Sequence, residues 1–209
     1  MFKKITISKK IIVLILVLVL AVGGFFLWWQ WRETPPEQWD TAKVSPREDY
    51  IVRETSEGRV VENKKIGVNF LIPKEWILED TSSFVSYISF YSPDAEFNER
   101  RSDVLEKGCS IDVYISYIKT NLNTLEKVIN EDFKKWGSTM KIDEFKKTEV
   151  SNFPALKCVT SIENLKMFYI TVHLPVGNKV YKMSLASSSR EKEKCFQEFD
   201  KFLETVSIE

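Results

Sequence analysis

Residues Ile11 to Trp29, IIVLILVLVLAVGGFFLWW, carry no charge and no strongly polar side chain, and this run leaves few structures open to the N-terminal end of the chain. As a helix it is roughly 29 Å long, close to the ~30 Å hydrocarbon core of a bilayer. A helix also pairs every backbone polar group internally, as lipid requires. Lys3, Lys4, Lys9 and Lys10 precede the run, and Trp28, Trp29 and Trp31 close it. Basic residues favour the cytoplasmic side and indole rings the headgroup layer. The expectation is a basic cytoplasmic tail over 1–10, a single transmembrane helix over 11–31 that contacts membrane lipid, and everything after it outside the cytoplasm. A cleaved signal peptide is the competing reading, with an apolar region Ile11–Leu20 and a small-x-small site at Ala21-Val22-Gly23. It would leave GFFLWWQW as a poorly soluble start, so the anchor is preferred. Both readings export the remainder.

Residues 32–49, RETPPEQWDTAKVSPRED, hold three prolines and many charges. They read as an extended stalk between membrane and domain. From Tyr50 to Glu209 the pattern turns to strands. Tyr50–Arg53 and Arg59–Glu62 flank a turn at Glu57-Gly58 and read as a hairpin. Val68, Phe70 and Ile72 alternate before Pro73 and Trp76. Residues 85–90 are apolar on both sides, as a central strand would be. Cys109–Tyr117 alternates strictly, with one apolar and one mostly polar face. Leu156–Ile162, Phe168–Leu174 and Val180–Ala186 complete the set, the last two joined at Gly177-Asn178, where positive φ is tolerated.

Two helices accompany these strands. Leu125, Val128, Ile129, Phe133 and Trp136 share one stripe, with Asn123 as the expected cap and Gly137 as the stop. Cys195, Phe196, Phe199, Phe202, Leu203 and Val206 form the second stripe, with Ser188 and Glu191 as a capping box. Each stripe needs a sheet face to cover. The fold class is therefore α+β, a mostly antiparallel sheet with packed amphipathic helices.

Some of these segments resemble the PsbP-like family. They are Gly67-Val-Asn-Phe-Leu-Ile-Pro73-Lys-Glu-Trp76, Ser89-Phe-Tyr-Ser-Pro93, the turn-like Phe153-Pro-Ala-Leu156 and the amphipathic C-terminal helix. The likeness covers Tyr50 to Glu209. The same fold occurs in a eukaryotic Ran-binding import factor and in bacterial envelope proteins, and this chain looks like a membrane-anchored envelope member. The resemblance implies a fold and transfers no catalytic set.

Composition narrows the chemistry further. Lys+Arg and Asp+Glu are 30 each, so the net charge is zero. The basic excess that a general nucleic-acid binder uses against phosphates is missing, and no nucleic-acid partner is expected. His173 is the single histidine, and no spacing supplies it with a nucleophile; a surface or satisfied histidine is the expectation. Cys109, Cys158 and Cys195 each fall on the apolar side of an element and read as small buried hydrophobes. Export would allow one disulfide among them, with all three pairings open and one thiol left over. Asp94, Glu96, Glu99, Asp103 and Glu106 lie in a long segment from Ser92 to Gly108. Their spacing lacks the calcium-loop pattern, so a solvated loop that offers a recognition surface is expected. No catalytic, cofactor-binding or metal-ligating residue is assigned. The reading that follows is a tethered, non-enzymatic domain that binds or scaffolds another envelope component. An envelope enzyme with a scattered site and an extracytoplasmic sensor acting through a partner are the rivals.

Overall fold

The computed structural model describes residues 43–79, 87–118, 120–135 and 140–209. The expected anchor, 11–31, lies outside the described residues. Among the described residues no helix is long and apolar enough to cross a membrane.

The frame is an eight-stranded antiparallel sheet. In chain order its strands are β1 (Lys43–Val44), β5 (Ile77–Leu78), β6 (Ile88–Tyr91), β9 (Cys109–Tyr117), β10 (Lys141–Val150), β11 (Phe153–Ile162), β12 (Met167–Val176) and β13 (Lys179–Ser188). The spatial order is β10-β11-β12-β13-β9-β6-β5, with β1 continuing the line of β6 along the same edge of β9. A smaller sheet holds β2 (Ile51–Glu54), β3 (Gly58–Asn63), β4 (Val68–Pro73) and β14 (Ser207–Ile208), in the order β14-β4-β3-β2. β7 (Glu96–Asn98) and β8 (Arg101–Lys107) form a separate hairpin. The helices are α1 (Leu122–Lys135) and α2 (Lys192–Thr205).

Alternation in the large sheet decides what packs where. Cys109, Ile111, Val113 and Ile115 of β9 share a face with Tyr181, Met183 and Leu185 of β13 and with Ile170, Val172 and Leu174 of β12. All are buried, and α2 and the small sheet close over them in one core. Phe202 of α2 sits edge-on to Phe70 at 5.6 Å and to Phe90 at 5.4 Å, while Trp76 meets Phe90 at 5.6 Å. Such edge-to-face pairs add to the burial of the rings themselves. The Tyr181 hydroxyl donates to the Ile66 carbonyl at 2.5 Å and ties the two sheets together. Cys109 and Cys195 are joined as a disulfide, so β9 and α2 are covalently linked; Cys158 is free and buried.

The Gly67–Trp76 segment has a physical account. Gly67 has φ +66, and a Cβ there would lie 2.7 Å from the Glu209 carbonyl oxygen. A side chain would therefore push apart the backbone pair that Glu209 N–H makes with the Gly67 carbonyl at 2.9 Å. Pro73 ends β4, and the turn after it delivers Trp76 to the core.

Several expectations shift. The domain begins before Tyr50: Val44 pairs with Ser116, Ser45 is fully buried, and Asn63 donates to its hydroxyl at 3.0 Å. Residues 43–49 therefore belong to the domain instead of the stalk. The segment from Ser92 to Gly108 is mostly the β7–β8 hairpin. Its charges masked the strand pattern, although Val104 and Leu105 are buried beneath it. The edge strand β10 was hidden for the same reason, since KIDEFKKTEV is charged along most of its length. Charge on an edge strand discourages pairing with other chains. β6 lies near the sheet margin, with only β5 outside it. Phe153–Leu156 is the start of β11; the turn before it is Ser151-Asn152, both at positive φ. At the other hairpin only Gly177 of Gly177-Asn178 takes positive φ. The cap of α1 is Asn121, whose side-chain oxygen accepts from the Thr124 N–H at 2.9 Å, so Asn123 is inside the helix. Ser188 ends β13, and α2 starts at Lys192, with Glu191 at the N-cap position making no side-chain capping bond.

Candidate functional site

The second face of the large sheet carries the residues that alternate with the core. Across β9, β13 and β12 they form rows: Tyr114 opposite Lys182 opposite His173, and Asp112 opposite Ser184 opposite Thr171. α1 covers part of this face. Leu125 and Ile129 pack with Ile118, Leu156 and Val180 in a small apolar cluster. Its apolar stripe ends where the polar rows begin. A cavity of about 530 Å³ remains between helix and sheet, within the size range of small-molecule sites. Ile129, Phe133, Met140 and Val44 line its apolar side, with Asp112, Lys182, His173 and the hydroxyls of Thr171 and Ser184 on its floor.

The floor is electrostatically uneven. Thr171 and Ser184 hydroxyls lie 3.2 Å apart and share a hydrogen bond. The Lys182 ammonium sits over the Tyr114 ring, 4.8 Å from its centre, a favourable placement for a cation. Among the described residues no carboxylate lies within ion-pair distance of Lys182. Asp112 is pushed up from the ordinary carboxylate range, chiefly by loss of solvent; the Ser89 hydroxyl opposes that shift, Glu79 reinforces it and Lys182 opposes it. His173, almost wholly buried, is held well below 6.5 by burial first and the Lys182 charge second. It is therefore a neutral ring at neutral pH, capable of one donated and one accepted hydrogen bond. Buried titratable groups displaced in this way mark candidate binding sites.

The residues singled out by sequence fall in different places. His173 is in the cavity floor, buried and not at the surface. Cys109 and Cys195 are on the opposite face, bonded to each other. Cys158 lies on the cavity side of β11, opposite Thr171. Burial pushes its thiol up to about 11, so it stays protonated and weakly nucleophilic. The acidic residues of the β7–β8 hairpin are not gathered into a metal site: among the described residues no cluster of three or more His, Cys, Asp or Glu side chains is placed to hold a metal ion. Asp112, Tyr114, Thr171, Lys182 and Ser184 were missed. They occupy the polar positions of alternating strands, which usually means solvent. The available signal was the α1 stripe, which requires a sheet face and leaves that polar face partly enclosed.

Solved structures align with this arrangement over most of its length. The cyanobacterial PsbP (CyanoP) of Synechocystis sp. PCC 6803 matches with a TM-score of 0.50 and 12% identity, over 77% of this chain and 93% of that one. The fold is PsbP-like. Mycobacterium tuberculosis LpqN, described as involved in cell envelope biogenesis, aligns on the same PsbP-like fold at TM-score 0.50 and 14% identity, covering 84% of this chain and 99% of its own. Saccharomyces cerevisiae Mog1p, a Ran-binding protein, aligns with a TM-score of 0.47 and 9% identity over 76% and 96% of the two chains. No family model matches the chain, and no curated protein matches its sequence. At these identities the likeness establishes the PsbP-like architecture alone.

Proposed function

We propose that this PsbP-like protein is a membrane-tethered, non-enzymatic binding domain on the outer side of a cell membrane. In this reading it engages another envelope component through the cavity between α1 and the polar sheet face. The observation that carries the proposal is the cavity itself. Polar and charged side chains on a sheet face roofed by a helix cost stability unless something hydrogen-bonds them. A ligand or partner group with both polar and apolar parts would meet Lys182, which has no carboxylate within ion-pair distance among the described residues, and fill the space against Ile129 and Phe133.

The placement outside the membrane rests on the apolar run 11–29 and the basic residues before it, and the Cys109–Cys195 disulfide supports it, because such bonds persist in oxidising compartments. The chain enters the domain through β1, which borders the cavity at Val44. The non-enzymatic reading is supported by the cysteines, two bonded and one buried and protonated, which leaves no thiolate to attack a substrate.

Filling the cavity tests the proposal. Full-length chain is extracted from its own membranes in neutral detergent, and native mass spectrometry records what accompanies it. Wild type and Ile77→Trp, an exposed control outside the cavity lining, should carry the same specific companion, and Ile129→Trp should lose it. A companion retained equally by Ile129→Trp, or absent throughout, refutes the cavity as the point of engagement. A C-terminal tag inaccessible to protease in intact cells, after removal of any outer wall, refutes the exported topology.

A further inference from the structure

Away from α1, at the end of the sheet where β11 turns into β12 and β13 leads into α2, lies a second depression of about 420 Å³. Among the described residues, Arg101, Lys166 and Arg190 line it together with one carboxylate, Glu106. That carboxylate already accepts a hydrogen bond from Asn98 at 2.5 Å. Among the described residues no carboxylate lies within ion-pair distance of Lys166 or Arg190. In a chain of zero net charge, these two cations, without a carboxylate partner among the described residues, are a local excess.

The frame beneath these cations is fixed. Lys166 takes the left-handed conformation at φ 53. Its carbonyl accepts from both the backbone N–H of Ser189 at 2.7 Å and the Ser189 hydroxyl at 2.6 Å, which locks the β11–β12 turn to the end of β13. Next to that clamp, Ser188 also lines the depression. It is 5% exposed, and its hydroxyl oxygen is buried with no hydrogen-bond partner. A buried hydroxyl without a partner is costly, and a native structure that keeps one usually supplies the partner from elsewhere.

We infer that this depression is an oxyanion site whose ligand is a phosphoryl group. Arginine offers a planar pair of donors that matches two phosphoryl oxygens, and lysine adds a point charge. The Ser188 hydroxyl would donate to a third oxygen. The space exceeds a bare phosphate ion, so the group is expected on a larger molecule, with Asn164 available to its remainder. The site is separate from the cavity under α1, and its failure would leave that proposal untouched.

Isothermal titration calorimetry on the full chain in neutral detergent tests it, with inorganic phosphate and glycerol 3-phosphate as probes. Both should bind and sulfate should compete. Arg190→Gln, at an exposed position, should weaken binding about tenfold or more, and Ser188→Ala about threefold. Lys166→Gln provides a second cation variant should Arg190→Gln lower expression. Lys182→Met, in the other cavity, should leave binding unchanged. Tighter binding of glycerol 3-phosphate points to a phosphorylated larger ligand, and equal binding to free phosphate. Absence of binding, or binding that Arg190→Gln and Lys166→Gln leave unchanged while the fold is intact, overturns the inference.

Discussion

The two faces of the large sheet are made by the same strands, one residue out of step, yet they end in opposite states. One carries Ile, Val, Leu and Met and is sealed by α2 and the small sheet, with the disulfide fastening the seal. The other carries Asp112, Lys182, His173 and a set of hydroxyls under a helix whose apolar stripe reaches only part of the way across. The first face is organised for stability. The second gives up packing to keep polar groups under cover, a combination that suits binding better than folding.

Substitutions that truncate a ring should separate the two faces most sharply. Phe202→Ala removes a ring wedged among Phe70, Phe90 and Phe199 and should cost about 3–5 kcal/mol in urea unfolding. Phe133→Ala, beside open volume, should cost less than about 2 kcal/mol. Equal losses would mean that the second face is packed as tightly as the first. Replacing both Cys109 and Cys195 by Ser should cost about 2–5 kcal/mol, because the bond closes a long loop between residues 86 apart. Reduction of the wild type should reproduce that loss, measured by thermal unfolding with and without reductant.

The polar face should also announce itself through pH. Folding keeps His173 neutral, so on acidification the unfolded chain takes up that proton first. The stabilisation is complete above the ordinary value of 6.5 and is lost progressively as pH falls below it. The slope should approach about 1.4 kcal/mol per pH unit. His173→Leu should flatten it between pH 6.5 and the onset of carboxylate titration, as followed by denaturant midpoints. The smallest effect belongs to the helix that roofs the cavity. Asn121→Ala removes the cap of α1 and should cost about 1 kcal/mol, while Asn123→Ala should cost less.

The same division explains what could be read from the sequence. Strands facing the sealed core announce themselves by alternation, and β4, β9, β11, β12 and β13 lie where Val68–Ile72, Cys109–Tyr117 and the later runs placed them. The α+β class and the PsbP-like pattern followed from those elements and the two stripes. Edge strands carry charge in place of alternation, so β10 and β8 were not legible. Capping depends on which backbone N–H groups are left over, and at Asn121 the helix begins earlier than its apolar stripe suggests. The disulfide partner of Cys109 is set by how α2 lies across β9, which no spacing encodes. The cavity floor was hidden most completely. Asp112 and Lys182 look like ordinary outward residues until α1 is placed above them, and of the two expectations for His173, surface or satisfied, the surface one falls once its strand is known to lie inside the sheet.

Photo-crosslinking in the native membrane tests the central claim most directly. A benzoylphenylalanine placed at Phe133, on the cavity rim, should trap a specific envelope component in the full chain, and the same probe at exposed Ile77 should not. Adducts formed at Ile77 and not at Phe133, or none at Phe133 in cells that carry the protein at its normal level, would contradict the account.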